Sequence, residues 1–230
     1  MHREGIGYRL DFSTYTRIVV FDLETTGEAI ERDEVIAFAA VVLKPSNGGL
    51  RLEKTISHTV KASTAISQRV RQKTNLTDEM VKAGIEMAHL ANMIEALFSQ
   101  RALLVGYGVQ FDVDMIMHMM AKRKPNYRFQ SSVLDLETVY RDRHLEKCDL
   151  DAMLEGYAVT RPKVSKILDN TFAVYELFKR MHERESVATY VDVLIDEKTA
   201  PFDRPKRMPH VINVGAPDHV GAIKKALRKR

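Results

Sequence analysis

Two carboxylates stand one residue apart in the stretch V-V-F-D-L-E-T-T-G, residues 19–27. Side chains two apart on a strand share a face, about 6.6 Å apart along the chain, so Asp22 and Glu24 point the same way if this stretch is a strand. The lead-in Arg17, Ile18, Val19, Val20, Phe21 is mainly β-branched and aromatic, and Thr25-Thr26-Gly27 supplies a stop. That is the pattern of a strand buried on both faces. Two like charges at its end repel each other and lose hydration unless a cation compensates them. The chemistry suggested is that of a divalent-metal site. The plainer reading, acids ending a strand at a solvated rim, is the commoner fate of a D-x-E pair, so partners elsewhere in the chain decide the matter.

Two further acids qualify. Asp112 follows the apolar run 102–105 in L-L-V-G-Y-G-V-Q-F-D, in what reads as the first turn of a helix, where negative charge is favoured and a strand-to-helix junction aims it back at the sheet edge. Asp169, in K-V-S-K-I-L-D-N-T-F, sits among Ile167, Leu168 and Phe172 and is expected to face inward as a fourth carboxylate. Four carboxylates suit two Mg²⁺ or Mn²⁺ ions about 3.5 to 4 Å apart. Hard oxygen ligands favour those ions over zinc. D-L-E-T recurs at 135–138, but there it precedes a helical run, so Asp135 and Glu137 read as a helix cap away from the cluster.

These residues need a frame to hold them. Residues 33–43 and 50–60 read as second and third strands, giving an antiparallel meander. Helical spacing takes over from residue 66, with Thr77-Asp78-Glu79 placed to cap one segment and 85–100 forming an amphipathic helix. A short strand at 102–105, a helix at 111–122, a strand near 133 and helices at 149–157 and 164–183 follow. The expected class is α/β, a mixed β-sheet flanked by α-helices. In M-I-M-H-M-M, 115–120, the apolar positions fall at helical spacing and read as core, with His118 a bystander.

Bulk properties narrow the classes. A chain of 230 residues with 45% hydrophobic and 29% charged residues is ordinary for a globular protein, with length for one domain over 1–183 and a basic extension over 184–230. No 18-residue apolar run and no signal-like start are present, so the expectation is a cytoplasmic protein with no membrane partner. One cysteine, Cys148, offers neither a disulfide nor a thiolate cluster. Residues 201–230 carry eight Lys or Arg against Asp203 and Asp218, a net of +6 that leaves the first 200 residues at −2. Such a tail is expected to add salt-sensitive affinity for nucleic acid.

The motifs resemble those of the DnaQ-like, or DEDD, 3′ to 5′ exonucleases, which include bacterial DNA polymerase III epsilon proofreading subunits. V-V-F-D-L-E-T-T-G matches the first family motif in full, V-G-Y-G-V-Q-F-D is similar to the second, and V-K-A-S-T-A-I-S with T-N-L-T-D-E-M-V is similar to the link between them. The likeness covers about residues 15–183. It implies a ribonuclease H-like fold, Asp22, Glu24 and Asp112 as metal ligands, and Thr25 where the family's backbone holds a substrate's 3′ end. The implied partners are 3′ ends of single-stranded DNA or RNA and a DNA polymerase subunit.

Two departures mark this chain. The family's second motif usually carries Asn three residues before Phe-Asp, and here that position is Gly108. The third motif normally sets a His five residues, or a Tyr four residues, before its last Asp. Counted from Asp169 those positions are Val164 and Ser165, neither a base. The other register aligns S-K-I-L-D-N with the family's His-x-x-Leu-Asp-Asp pattern and puts Ser165 at the histidine and Asn170 at the aspartate. His144 and His182 reach the site only from other segments. Two readings follow, a weakened exonuclease and a degenerate exonuclease fold serving as a nucleic-acid or polymerase-binding module.

Overall fold

A computed structural model describes residues 12–46, 49–163, 165–195 and 208–228. Five strands form one sheet in the order β3-β2-β1-β4-β5. β1 (Arg17–Thr25), β2 (Val35–Ser46) and β3 (Gly49–Thr59) make the antiparallel meander, and β4 (Ala102–Gly106) and β5 (Ser132–Asp135) join β1 in parallel. Order and direction therefore change at the β1/β4 boundary. Ligand crevices of open α/β sheets form outside the carboxyl ends of the strands at such a switch point.

Period-two alternation along β1 sorts its side chains between two cores. Val19, Phe21 and Leu23 join the core containing α3 (Met87–Leu97) and α4 (Val109–Arg123), while Ile18 and Val20 join the one containing Val174, Leu177 and Phe178 of α7 (Lys166–Arg184). Both faces of the sheet are covered, as the unbroken apolar run of β1 requires. Met115, Met117, Met119 and Met120 are buried as expected of core residues. Among the described residues no helix is long and apolar enough to cross a membrane.

Short helices fill the connections: α1 (Gln68–Thr74), α2 (Asp78–Lys82), α5 (Leu136–His144) and α6 (Leu150–Gly156). Thr77 caps α2, as its position before Asp78 and Glu79 suggests. Beyond α7 the chain keeps contributing to the interior. Tyr190, Val193, Leu194, Met208, Val211 and Ile223 are all buried in the two main cores. Val193–Ile195 pairs in parallel with Ile212–Val214, and a final helix, Ala222–Leu227, packs near α5. Buried Asp142 fixes that helix by accepting from Ile223 N (2.8 Å), Lys224 N (3.1 Å) and the Tyr190 hydroxyl (2.8 Å).

Candidate active site

Asp22 and Glu24 share the α7 face of β1, in line with Ile18 and Val20. Their cross-strand partners on β2 are Ala39 and Ala37, small residues that leave room above the pair. The ladder slips between Glu24 and Thr25, and such a bulge ends regular pairing and re-aims the chain. The turn that follows is built on Asp33, whose carboxylate accepts from Thr26 Oγ1 (2.8 Å) and Ala29 N (2.7 Å). A Cβ on Gly27 would stand 2.5 Å from Asp33 Oδ2, so a larger residue here would have to displace the carboxylate that holds the turn. Thr25 is half-buried beside the acids, with its hydroxyl donating to Gly27 O at 2.6 Å.

Asp112 lies in the first turn of α4 and is buried. Gly108 caps that helix at φ 57°, in the left-handed region that Gly and Asn adopt most readily. Glycine takes this backbone at no steric cost, and the amide side chain usual at this place in the family is absent. Val109 N donates to Asp135 Oδ1 at 3.3 Å, which ties the start of α4 to the end of β5.

The acids press on one another. Burial pushes the Asp22 carboxyl up to about 7, the charge of Glu24 adds to this, and hydrogen bonds from Asn170 and the Leu23 backbone and the charge of Lys73 pull back. Burial also raises Asp112 well above the usual carboxylate range, with Asp22 and Glu24 adding to the effect and Lys73 opposing it. Desolvated like charges of this kind lower their energy by taking up protons or cations.

At the third motif two adjacent residues take different places. Asn170 hydrogen-bonds to Asp22, and Arg161 Nε donates to Asn170 Oδ1 at 3.0 Å while the same guanidinium pairs with Asp151. Asp169 instead accepts from Ser165 N at 3.0 Å, holding the first turn of α7. The described residues lining the cavity include Asn170 and not Asp169. Ser165 is exposed at the start of α7, and Val164 lies outside the described residues. Neither histidine approaches: His182 is buried against Phe12 and Phe178, and His144 stacks on Tyr140.

Asp22, Glu24, Asp112 and Asn170 line one open cavity of about 1270 Å³ with Thr25, Arg69, Lys73, Lys147 and Arg161. Glu28, Asp33, Asp149 and Asp151 line it too, so basic and acidic side chains are interspersed in its wall. A neighbouring cavity of about 620 Å³ shares Gly108 and Phe111 with it and is lined by Asp135 and Glu137. The second D-L-E-T copy does cap α5, since Asp135 accepts from Thr138 N (3.1 Å) and Thr138 Oγ1 (2.7 Å). It is not remote, however, because its charge contributes to raising Asp112. Nothing in the residue pattern hints at this, as proximity there comes from β4 and β5 pairing in parallel.

As the side chains stand, no group of three or more His, Cys, Asp or Glu among the described residues is disposed to hold a metal ion. The donor chemistry nonetheless fits one: three hard oxygen groups share a partly desolvated wall, with the charge of Glu24 raising the proton affinity of both Asp22 and Asp112.

A five-stranded mixed sheet with helices on both faces, and an acid pair at its switch point, defines a ribonuclease H-like fold of the exonuclease type. The chain belongs to the Exonuclease family whose model is named RNase_T, matched over residues 19–163. This bears out the DnaQ-like resemblance read from the first two motifs. Among relatives, the PolC-type DNA polymerase III of Ureaplasma parvum is 31% identical over 113 residues, covering 49% of this chain and 7% of that one. The PolC-type enzyme of Caldanaerobacter subterraneus is 29% identical over 171 residues, covering 72% and 12%. The zinc ion bound form of the E. coli ExoI–ssDNA complex superposes with a TM-score of 0.64 at 17% identity, over 76% of this chain and 42% of that one. This chain therefore spans a small fraction of the polymerases and under half of exonuclease I.

Proposed function

We propose that the chain is a divalent-metal-dependent 3′–5′ exonuclease acting on the 3′ ends of single-stranded DNA or RNA, weakened by the loss of a general base. The observation that carries this reading is the convergence of Asp22, Glu24 and Asp112 on one wall of a cavity rimmed by Arg69, Lys73, Lys147 and Arg161. A Mg²⁺ or Mn²⁺ ion bound there would supply an activated water and stabilise the leaving oxygen. Asp22, Glu24 and Asp112 are the ligands, Asn170 orients Asp22, and the backbone around the Thr25 bulge meets the strand's end. Asp169 holds the helix that delivers Asn170 rather than acting as a ligand. The basic rim neutralises phosphates and sets register along the strand.

Asn170 and Ser165, at the places where an Asp and a His are usual, favour a second reading: a nucleic-acid or polymerase-binding module that has kept the exonuclease fold. A polymerase subunit is the proposed partner in either case, on the strength of the PolC-type relatives. The discriminating experiment is a nuclease assay on 3′-labelled single strands with Mg²⁺ and with Mn²⁺. Metal-dependent shortening from the 3′ end supports the enzyme. Binding without shortening in either metal leaves the module.

A further inference from the structure

The place expected to hold a fourth carboxylate holds a neutral amide with a guanidinium behind it. Asn170 is committed on both sides, donating to Asp22 and accepting from Arg161 Nε at 3.0 Å. Asp151 pairs with the same guanidinium, so Arg161 is gripped from two elements, α6 and α7. Its side chain is only a third exposed and forms part of the cavity wall. Lys73 reaches the same cavity from α1, near enough for its charge to act on both Asp22 and Asp112.

Charge counting then separates one ion from two. Asp22, Glu24 and Asp112 bring at most three negative charges and Lys73 returns one positive, while the charge of Arg161 is offset by Asp151. One divalent ion leaves these groups neutral, while two would leave them at +2. A second ion would also meet a fixed guanidinium and a neutral oxygen already accepting a hydrogen bond, with no carboxylate to offset its dehydration.

We propose that this site takes a single divalent cation, held by Asp22, Glu24 and Asp112, and that Asn170, a neutral amide seated by Arg161 and Asp151, closes the place of a second. The inference rests on the exonuclease reading only in taking those three acids as ligands. Arg161 is a positioning residue: bonded to Asn170 and to Asp151, it fixes Asn170 against Asp22.

Titration of the full chain with Mn²⁺, followed by the electron paramagnetic resonance of free Mn²⁺, tests this without any turnover. It is run with and without a nucleoside 5′-monophosphate. One tight Mn²⁺ per chain is expected in both conditions, lost in Asp22→Asn, and two are expected in the double variant Asn170→Asp/Arg161→Ala. Two ions in the unmodified chain would overturn the proposal, as would none, or one that survives Asp22→Asn. A double variant that keeps native circular dichroism yet binds only one ion would also overturn it. Two ions with 3′ shortening would sink this proposal and leave the exonuclease standing. One ion without shortening would do the reverse.

Discussion

The tetrapeptide D-L-E-T occurs twice in this chain, at 22–25 and at 135–138, and the two copies do different work. Asp135 ends β5 and meets donors: Val109 N (3.3 Å), Glu137 N (3.3 Å), Thr138 N (3.1 Å) and Thr138 Oγ1 (2.7 Å). Burial raises its carboxyl, and those hydrogen bonds work against the rise. Asp22 lies inside β1 and meets other acids, so the charge of Glu24 adds to the effect of burial. One acid is offset by several donors; the other is crowded by like charge that Asn170 and the Leu23 backbone only partly offset. Identical residues become a satisfied cap or a strained acid according to whether backbone N–H groups or carboxylates surround them.

The contrast breaks most sharply on catalysis. Asp22→Asn should lower metal-dependent 3′ cleavage by at least about 10²-fold, the usual worth of a group that meets developing charge. Asp135→Asn should leave it within about tenfold, since it acts on Asp112 only through its field. Equal losses in a single-turnover assay would mean that the second copy belongs to the site.

Next in size is the missing base. Because Asn170, not Asp169, faces Asp22, the combination Ser165→His with Asn170→Asp should raise cleavage by up to about 10²-fold. Ser165→His alone should do less. A gain from Val164→His with Asn170 untouched would instead restore the Asp169 register.

On stability the two copies should move in opposite directions. Asp135→Ala strands several donors and should cost about 1–3 kcal/mol in urea unfolding. Asp22→Asn should stabilise the metal-free protein at pH 8. The sign follows from the raised carboxyl: between about pH 4 and about 7 the folded state keeps a proton that the unfolded chain has released, so stability falls as pH rises through that window. Urea midpoints from pH 4 to 8 should show the fall in the unmodified chain and less of it in Asp22→Asn. Mn²⁺ should reverse the loss in the unmodified protein alone.

The smallest effect expected is electrostatic and distant. Lys225→Gln with Arg228→Gln, both exposed on the terminal segment, should flatten the slope of log affinity against log salt by up to about 0.7 for each phosphate that is no longer neutralised. Arg69→Ala at the cavity rim provides the comparison. Deleting 201–230 is a poor test, because Met208, Val211 and Ile223 are core residues.

Much of this was legible in the residues. An apolar β-branched run ending in acids at positions 22 and 24 reads as a strand, and it becomes a candidate site only with Asp112, which follows from a strand giving way to a helix. The choice between Asp169 and Asn170 was not legible. Neighbours on a helix differ by about 100° in direction, and the packing of Val174 and Leu177 against the sheet decides which one faces Asp22. Lys73 and Arg161 were equally hidden, because charges on a short helix and a loop carry no periodic signal. The burial of 193–195 was hinted at only by the apolar triplet Val-Leu-Ile, too short to stand out.

Asp142 has a consequence for how the molecule breathes. The amides of Ile223 and Lys224 are bonded to an acid 81 and 82 residues earlier in the chain, on a helix whose other end is fastened to α4 through Asp135. In hydrogen exchange these two amides should resist deuterium about as long as the interior strands do, although they belong to a helix of only six residues. Short helices ordinarily open first; here this one should report the opening of the whole cooperative unit.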